Sequence, residues 1–283
     1  MFGFLNVYKP KGKTSHDVVA VLRRVTKVKQ IGHTGTLDPF AEGVLPICIG
    51  KATRLIEYLK DDKAYIATVQ FGKSTTTYDL EGEVVNFSDK KIGLSEIETA
   101  LEKFRGEIEQ LPPVYSAIKV NGKKLYEYAR KGEEVEIKPR RVTINELKVV
   151  SIDEANQQLE LFVDCSKGTY IRSIANDLGE VLGVYGHLIK LVRVKAGDFK
   201  VENAVKLEEL QTKEIVESNL IYPLKYLDYP RYELSESEKV KVSNGNSLTL
   251  DCEDGLTLLT CGETLAAAAE ITQGKAIMRK VFL

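Results

Sequence analysis

Residues 31–50 read IGHTGTLDPFAEGVLPICIG, and this stretch constrains the fold more than any other. Gly32, Gly35 and Gly43 lie close together around His33, Thr34, Thr36 and Asp38. Each glycine loses more backbone freedom on folding than other residues do, so such a loop is costly to hold in one shape. It is justified where backbones must approach closely or a carboxylate must stay in a fixed place. The apolar run VLPICI that follows has to be buried, which ties the loop to the core. An Asp-Pro pair on its own asks for less, because Asp38 could cap a turn ahead of Pro39. That reading needs neither the glycines nor His33.

The rest of the chain supplies the frame. FLNVYK is strand-like and breaks at Pro10 and Gly12, after which Ser15 is placed to cap a helix. Val18, Val21, Leu22 and Val25 follow helical spacing, and Arg23, Arg24 and Lys27 lie opposite them. KATRLIEYL suggests a second helix. In AYIATVQFG, alternation puts Tyr65, Ala67, Val69 and Phe71 on one side of a half-buried strand. TTTYDLEG reads as a turn and EVVNF as a return strand. Ser95 with Glu98 forms a capping-box pattern for a helix ending near Gly106. RVTINELKVVSI and QLELFVDC read as a hairpin around EANQ. GTYIRSIANDLGEVLG reads as strand-to-helix, with Ile171, Ile174, Ala175, Leu178 and Leu182 in register. The pattern predicts an α+β fold with a mostly antiparallel mixed sheet and flanking helices. Past LDYPRYEL, short strands broken by NG, DG and GE turns predict a small β-rich domain. The expected division is 1–228 and 229–283.

A chain of 283 residues with 43% hydrophobic and 29% charged residues has the composition of a globular protein. Its net charge of −1 hides a segregation: residues 1–60 carry ten Lys/Arg against four Asp/Glu. A basic lobe suits a polyanionic partner, although a solvated helix face would look the same. The four cysteines and three histidines are dispersed, so no metal site is expected. MFGFLNVYKPKGK lacks a signal-peptide pattern and no run is long enough to cross a membrane, so a cytoplasmic protein without membrane contact is expected. Ser15-His16-Asp17 has the residue types of a catalytic triad, but adjacent helical side chains point apart. GVLPICIGKAT lacks P-loop glycine spacing, and GHTG is no dinucleotide fingerprint.

Residues 32–54 resemble the signature of the TruB family of tRNA pseudouridine synthases, which reads close to GHTGTLDPxAxGVLPxxxGxAT followed by Lys or Arg. NVYKPKGKTSHDVV is similar to the family's KPxGxTSxDVV opening. KAYIATVQFGKSTTTYDLEG, LPPVYSAIKVNGKKLYEYARKG and VDCSKGTYIRSIANDLG resemble three further blocks in the family's order, and HLIKLVRVKAGDF follows them. Thr76 departs from the pattern, since many members carry Asp there, while Asp79 and Gly82 are retained. The tail matches loosely, through MRKVF.

The resemblance implies a stand-alone enzyme that converts uridine to pseudouridine in the T loop of tRNA, at the position called 55. The bond from ribose C1′ to uracil N1 breaks, the base turns, and C5 is joined to C1′. Nothing leaves and no redox change occurs, so no cofactor is expected. A carboxylate must work beside C1′, as in glycoside cleavage, and the resemblance assigns this to Asp38. Attack on C1′, attack on the uracil ring and removal of a C2′ proton all remain open. Arg172 is implied as the cation that keeps Asp38 ionised. Tyr65 would stack on the uracil and take part in proton transfer at C5, with Tyr170 and Leu191 completing the wall. A target base stacked in a folded arm has to be flipped out, and His33 resembles the residue that fills the vacated space. Thr34 and Thr36 would supply local hydrogen bonds, and Lys9 a phosphate contact. Asp79 is counted among the substrate-side residues. The β-rich tail resembles the PUA-type RNA-binding modules of the family. The expected partner is the tRNA T stem-loop and the expected state a monomer. Two other classes share the catalytic features, a guide-RNA-dependent pseudouridylase subunit and a tRNA-folding chaperone.

Overall fold

The computed structural model describes residues 1–283. β1 (Gly3–Lys9) leads into α1 (Ser15–Thr26), then β2 (Ile31–His33) and β3 (Glu42–Ile49). Thr14, one residue earlier than expected, caps α1: its hydroxyl accepts from Asp17 N at 3.0 Å, and Asp17 accepts from Thr14 N at 2.8 Å. Ser15 is thereby free for another task. Its buried hydroxyl accepts from Leu37 N at 2.8 Å and donates to Leu37 O at 3.1 Å, fastening the glycine-rich loop to α1. KATRLIEYL forms a 3₁₀ helix (Gly50–Tyr58) in place of the expected α-helix.

β4 (Lys63–Phe71) has the expected alternation, with Tyr65, Ala67, Val69 and Phe71 buried. β5 (Lys73–Thr75) pairs with the return strand β6 (Val84–Phe87). α2 (Leu94–Leu101) starts before Ser95, because the Glu96 carboxylate accepts from Gly93 N at 3.1 Å; Glu98 instead faces Arg105 at 3.5 Å. β7 (Gly106–Gln110) is followed by a small projection made of β8 (Lys119–Val120), β9 (Lys123–Lys124) and α3 (Leu125–Lys131). The long hairpin of β10 (Arg140–Asp153) and β11 (Gln158–Cys165) precedes α4 (Ile171–Leu182), β12 (Gly186–Ala196), β13 (Phe199–Lys200), β14 (Val205–Lys206) and α5 (Lys213–Ser218).

One sheet of ten strands unites these elements, in the order β14-β1-β3-β12-β4-β11-β10-β7, with β2 on β3 and β13 on β12. Neighbours are antiparallel except β1 with β14 and β3 with β12. The parallel β3–β12 pair matters most, because it brings the strand after the glycine-rich loop beside residues 192–193. Gly43 has φ +108°, and a Cβ there would lie 2.3 Å from Arg193 O. No other residue fits that crossing. Gly32 and Gly35, in contrast, have room for a Cβ.

The apolar face of α4 (Ile171, Ile174, Ala175, Leu178) packs with Val69, Leu159, Leu161 and Leu188 in the largest core. Side chains such as Leu161 and Ile174 each contribute roughly 1.5–3 kcal/mol by burial. The tail holds β15 (Arg231–Glu233), α6 (Glu236–Ser243), β16 (Leu248–Thr249), β17 (Gly255–Cys261), β18 (Thr264–Thr272) and β19 (Lys275–Val281). Its sheet runs β15-β17-β18-β19-β16. Leu258, Leu265, Ala268 and Phe282 share a core with Phe4, Val44, Cys48 and Leu55, so the small sheet is packed on the large one. Arg54 donates to Val281 O at 2.9 Å, and Lys51 to Phe282 O at 2.9 Å. No helix is long and apolar enough to cross a membrane.

Candidate active site

The loop between β2 and β3 is held by its backbone. Arg193, on β12, donates from Nε to Val44 O at 2.7 Å, and its terminal nitrogens reach Gly35 O at 3.1 Å and Thr36 O at 3.3 Å. Thr34 N donates to Pro46 O at 3.1 Å, and Gly12 N to Pro39 O at 2.8 Å. The local hydrogen bonds expected of Thr34 and Thr36 are made by their backbone groups, the Thr34 N–H and the Thr36 carbonyl. Lys9 also belongs to this clamp. It is 0% exposed, and its Nζ donates to Lys13 O at 2.5 Å, Pro10 O at 3.0 Å and Pro39 O at 3.4 Å. A phosphate cannot reach it, so its expected role as an RNA contact is corrected to a structural one. Burial lowers its pKa from 10.5 to about 8.

This clamp presents Asp38 to a cleft. The Asp38 backbone carbonyl closes a turn with Ala41 N at 3.1 Å, but the carboxylate does not cap it. Asp38 Oδ2 lies 3.0 Å from Arg172 Nε. The Nε–H is not aligned on that oxygen, so the contact is an ion pair and not a directed hydrogen bond. Arg172 sits in the first turn of α4 and is nearly inaccessible. Its NH1 donates to Thr77 O and its NH2 to Tyr115 O, both at 3.0 Å. Asp79 Oδ2 is 3.3 Å from NH1. The other Asp79 oxygen accepts from Thr77 Oγ1 at 2.6 Å and Glu81 N at 3.0 Å. Asp79 is only 3% exposed, so it backs Arg172 and does not face substrate. Its place among the substrate-side residues is corrected accordingly.

Asp38 lies deep in the cleft, yet 34% of its side-chain surface stays open. Burial pushes its carboxyl above the usual range, Arg172 draws it back, and the Asp79 charge pushes it up again. The site thus resists charge on this carboxyl, and the Arg172 guanidinium is the main group that opposes the resistance.

The cleft has a volume of about 630 Å³. Asp38, Tyr65, Tyr170, Arg172 and Leu191 line it together, with Lys63, Lys119, Arg140 and Lys167 also in its wall. Tyr65 is buried on β4, and burial raises its pKa while Arg193 draws it back. Leu191 lies on β12, opposite Ala67 of β4. Tyr170 is fixed by Gln110, which accepts from Tyr170 N at 2.7 Å and donates to Tyr170 O at 3.0 Å. Thr36 is exposed on the cleft wall. His33 is half-buried on β2, close to the loop but not in the cleft lining; its Nδ1 is buried without a hydrogen-bond partner. Burial, the Arg193 charge and His16 lower its pKa, so the ring is neutral at pH 7. Arg193, Gln110 and the lysines around the cleft are absent from the sequence expectations.

The α+β sheet and the grouping of Asp38, Arg172, Tyr65 and Leu191 around one cleft agree with the pseudouridine synthase class. The model for the N-terminal domain of TruB family pseudouridylate synthases matches residues 23–171, and that for the tRNA pseudouridylate synthase B C-terminal domain matches residues 172–228. The chain belongs to the TruB family. It is 43% identical to a tRNA pseudouridine synthase B of Caldanaerobacter subterraneus, with 98% of each chain covered. It is 44% identical to one of Geobacillus thermodenitrificans, over 95% of this chain and 94% of the relative. Among solved structures, a Cbf5-Nop10-Gar1 complex matches 100% of this chain and 85% of its own at 26% identity and a TM-score of 0.74. An H/ACA RNP bound to a substrate RNA containing 2′-deoxyuridine covers the same shares at 24% identity and a TM-score of 0.73, a likeness of fold.

Proposed function

We propose that this protein isomerises uridine to pseudouridine in tRNA, acting on the T loop with Asp38 as the essential carboxylate. The observation that carries the reading is the Asp38–Arg172 pair at 3.0 Å in the wall of a cleft that Tyr65 and Leu191 also line. A nucleobase extruded from a folded arm fits such a cleft, with its ribose C1′ presented to Asp38. The unstacking costs a few kcal/mol, which groups inserted into the arm must offset. His33, at the loop's base and neutral, is assigned the wedge. Tyr65 stacks on the uracil and, as phenolate, takes the C5 proton once C5 has joined C1′. N1 regains a proton from water, so the sum is an isomer of the starting nucleotide. Lys63, Lys119, Arg140 and Lys167 replace Lys9 as the phosphate contacts. Residues 229–283 are assigned as a PUA-like RNA-binding domain following a catalytic domain of residues 1–228.

The relatives named for tRNA are more similar in sequence than the H/ACA structures, which favours a tRNA substrate over guide-directed targets. The test is conversion of a T-arm stem-loop by the purified chain alone, with the modified position mapped. Pseudouridine in the T loop without any guide RNA is the expected result. Activity that appears only with a guide RNA would overturn this reading.

A further inference from the structure

Arg193 is 1% exposed and is the largest fully buried side chain in the molecule. Such a guanidinium stays charged, since arginine does not deprotonate in proteins. A buried ion ordinarily requires a counter-ion as well as hydrogen bonds. Arg193 has the hydrogen bonds, to the carbonyls of Val44, Gly35 and Thr36. It has no carboxylate: the ion pairs near it join Lys195 to Asp62 and Asp164, and Arg172 to Asp38 and Asp79. A full positive charge is thus stored in the sheet without a full negative one.

The acid that faces it is Tyr65. In the antiparallel β4–β12 ladder Arg193 stands directly opposite Tyr65, a register that puts two side chains on the same face of a sheet. Its charge also bears on Lys9, Lys63 and His33, none of which can supply a negative charge. We propose that Arg193 is a positioning residue for the proton-transfer step, fixing the glycine-rich loop with one set of N–H groups while its charge stabilises the Tyr65 phenolate. This rests on the reading of Tyr65 as the group that takes the C5 proton. In that step water first takes the Tyr65 hydroxyl proton to leave the phenolate; the C5–H bond then breaks, its electron pair restores the ring double bond, and the proton goes to Tyr65 Oη, which returns to the neutral phenol. The phenolate is the counter-ion that the fold omits, and it forms only for the reaction.

The test is the deuterium isotope effect on turnover of T-arm RNA carrying uridine deuterated at C5. Each pKa unit of acidity that Tyr65 loses lowers its phenolate fraction at neutral pH about tenfold. The neutral replacements Arg193→Gln and Arg193→Met are therefore expected to make C5 deprotonation limiting and to raise the isotope effect. Arg193→Lys, with a shorter, single-pointed cation further from the phenol, is expected to fall between them and the wild type. Tyr65→Phe is expected to show the largest effect of all. If Tyr65→Phe shows no C5 isotope effect, the reading of Tyr65 fails and takes this inference with it. If Tyr65→Phe shows one and every folded Arg193 variant keeps the wild-type value, Arg193 serves the loop alone and the inference is overturned.

Discussion

Arg172 and Arg193 are both buried beside the same cleft, yet they are compensated in opposite ways. Arg172 is held by two carboxylates, Asp38 and Asp79, and two carbonyls. Arg193 is held by three carbonyls and no acid. The first arrangement sets a guanidinium against the rise that burial imposes on a carboxyl pKa. The second shapes a backbone and leaves a field. Buried cations in one site can therefore serve different ends, and the partner chemistry tells them apart.

Breaking the first arrangement has the largest consequence. Arg172→Met leaves Asp38 and Asp79 facing each other without the cation. It is expected to cost about 3–5 kcal/mol of stability, read by denaturant unfolding. Turnover should fall by at least ~10²–10³, as when a site loses its main electrostatic support. A variant as stable and active as wild type would mean the pair is incidental. Asp79→Asn is milder, because the amide still accepts from Glu81 N. A displaced Arg172 misplaces Asp38, and a loss of about 100-fold in kcat is expected, with RNA affinity unchanged because Asp79 is buried.

Changing pH sharpens the same contrast. Asp38 is pushed above the usual carboxylate range, so the acid limb of turnover should be set by a pKa higher than that of free aspartate. The sign for stability is the reverse of that for activity. A carboxyl raised on folding stabilises the fold when protonated, below the unfolded value of 3.8, and that contribution is lost as pH rises through its folded pKa. Asp38→Asn is thus expected to melt no lower than wild type at pH 7, with any gain shrinking in acid.

The smallest effects separate the buried lysine from the exposed ones. Lys9→Met should lower stability by about 1–3 kcal/mol through its three unpaired carbonyls, and leave the salt dependence of RNA binding unchanged. Lys167→Gln should do the opposite, reducing the slope of log K against log salt by roughly one at little cost to folding. Filter binding across a salt series distinguishes the two.

The clamp also marks where the sequence is legible. Alternation in AYIATVQFG and helical spacing in IRSIANDLGEVL depend on apolar residues whose period follows the backbone geometry, and β4 and α4 match them. The Asp38 loop is legible because its composition is too costly for an ordinary turn. Lys9 and Arg193 are not, because a charged residue reads as surface until the carbonyls that accept its protons are in place. Those carbonyls come from residues far away in the chain, joined by the parallel β3–β12 pairing that no local pattern encodes. Ser15 reads as a helix cap for a related reason: capping is local, whereas its hydrogen bonds to Leu37 are not. The alanine run of β18 carries little strand propensity and is a strand because β17 and β19 flank it.

The most direct measurement is tritium release from a T-arm RNA labelled at uridine C5, comparing wild type with Asp38→Asn. Loss of the C5 hydrogen accompanies every turnover, and the asparagine keeps the side chain's shape while removing its charge. The expected result is release by the wild type and none by the variant, at equal RNA affinity. Release by Asp38→Asn within about tenfold of the wild-type rate, less than 1.4 kcal/mol of barrier, would show that the carboxylate held by Arg172 does not perform the reaction.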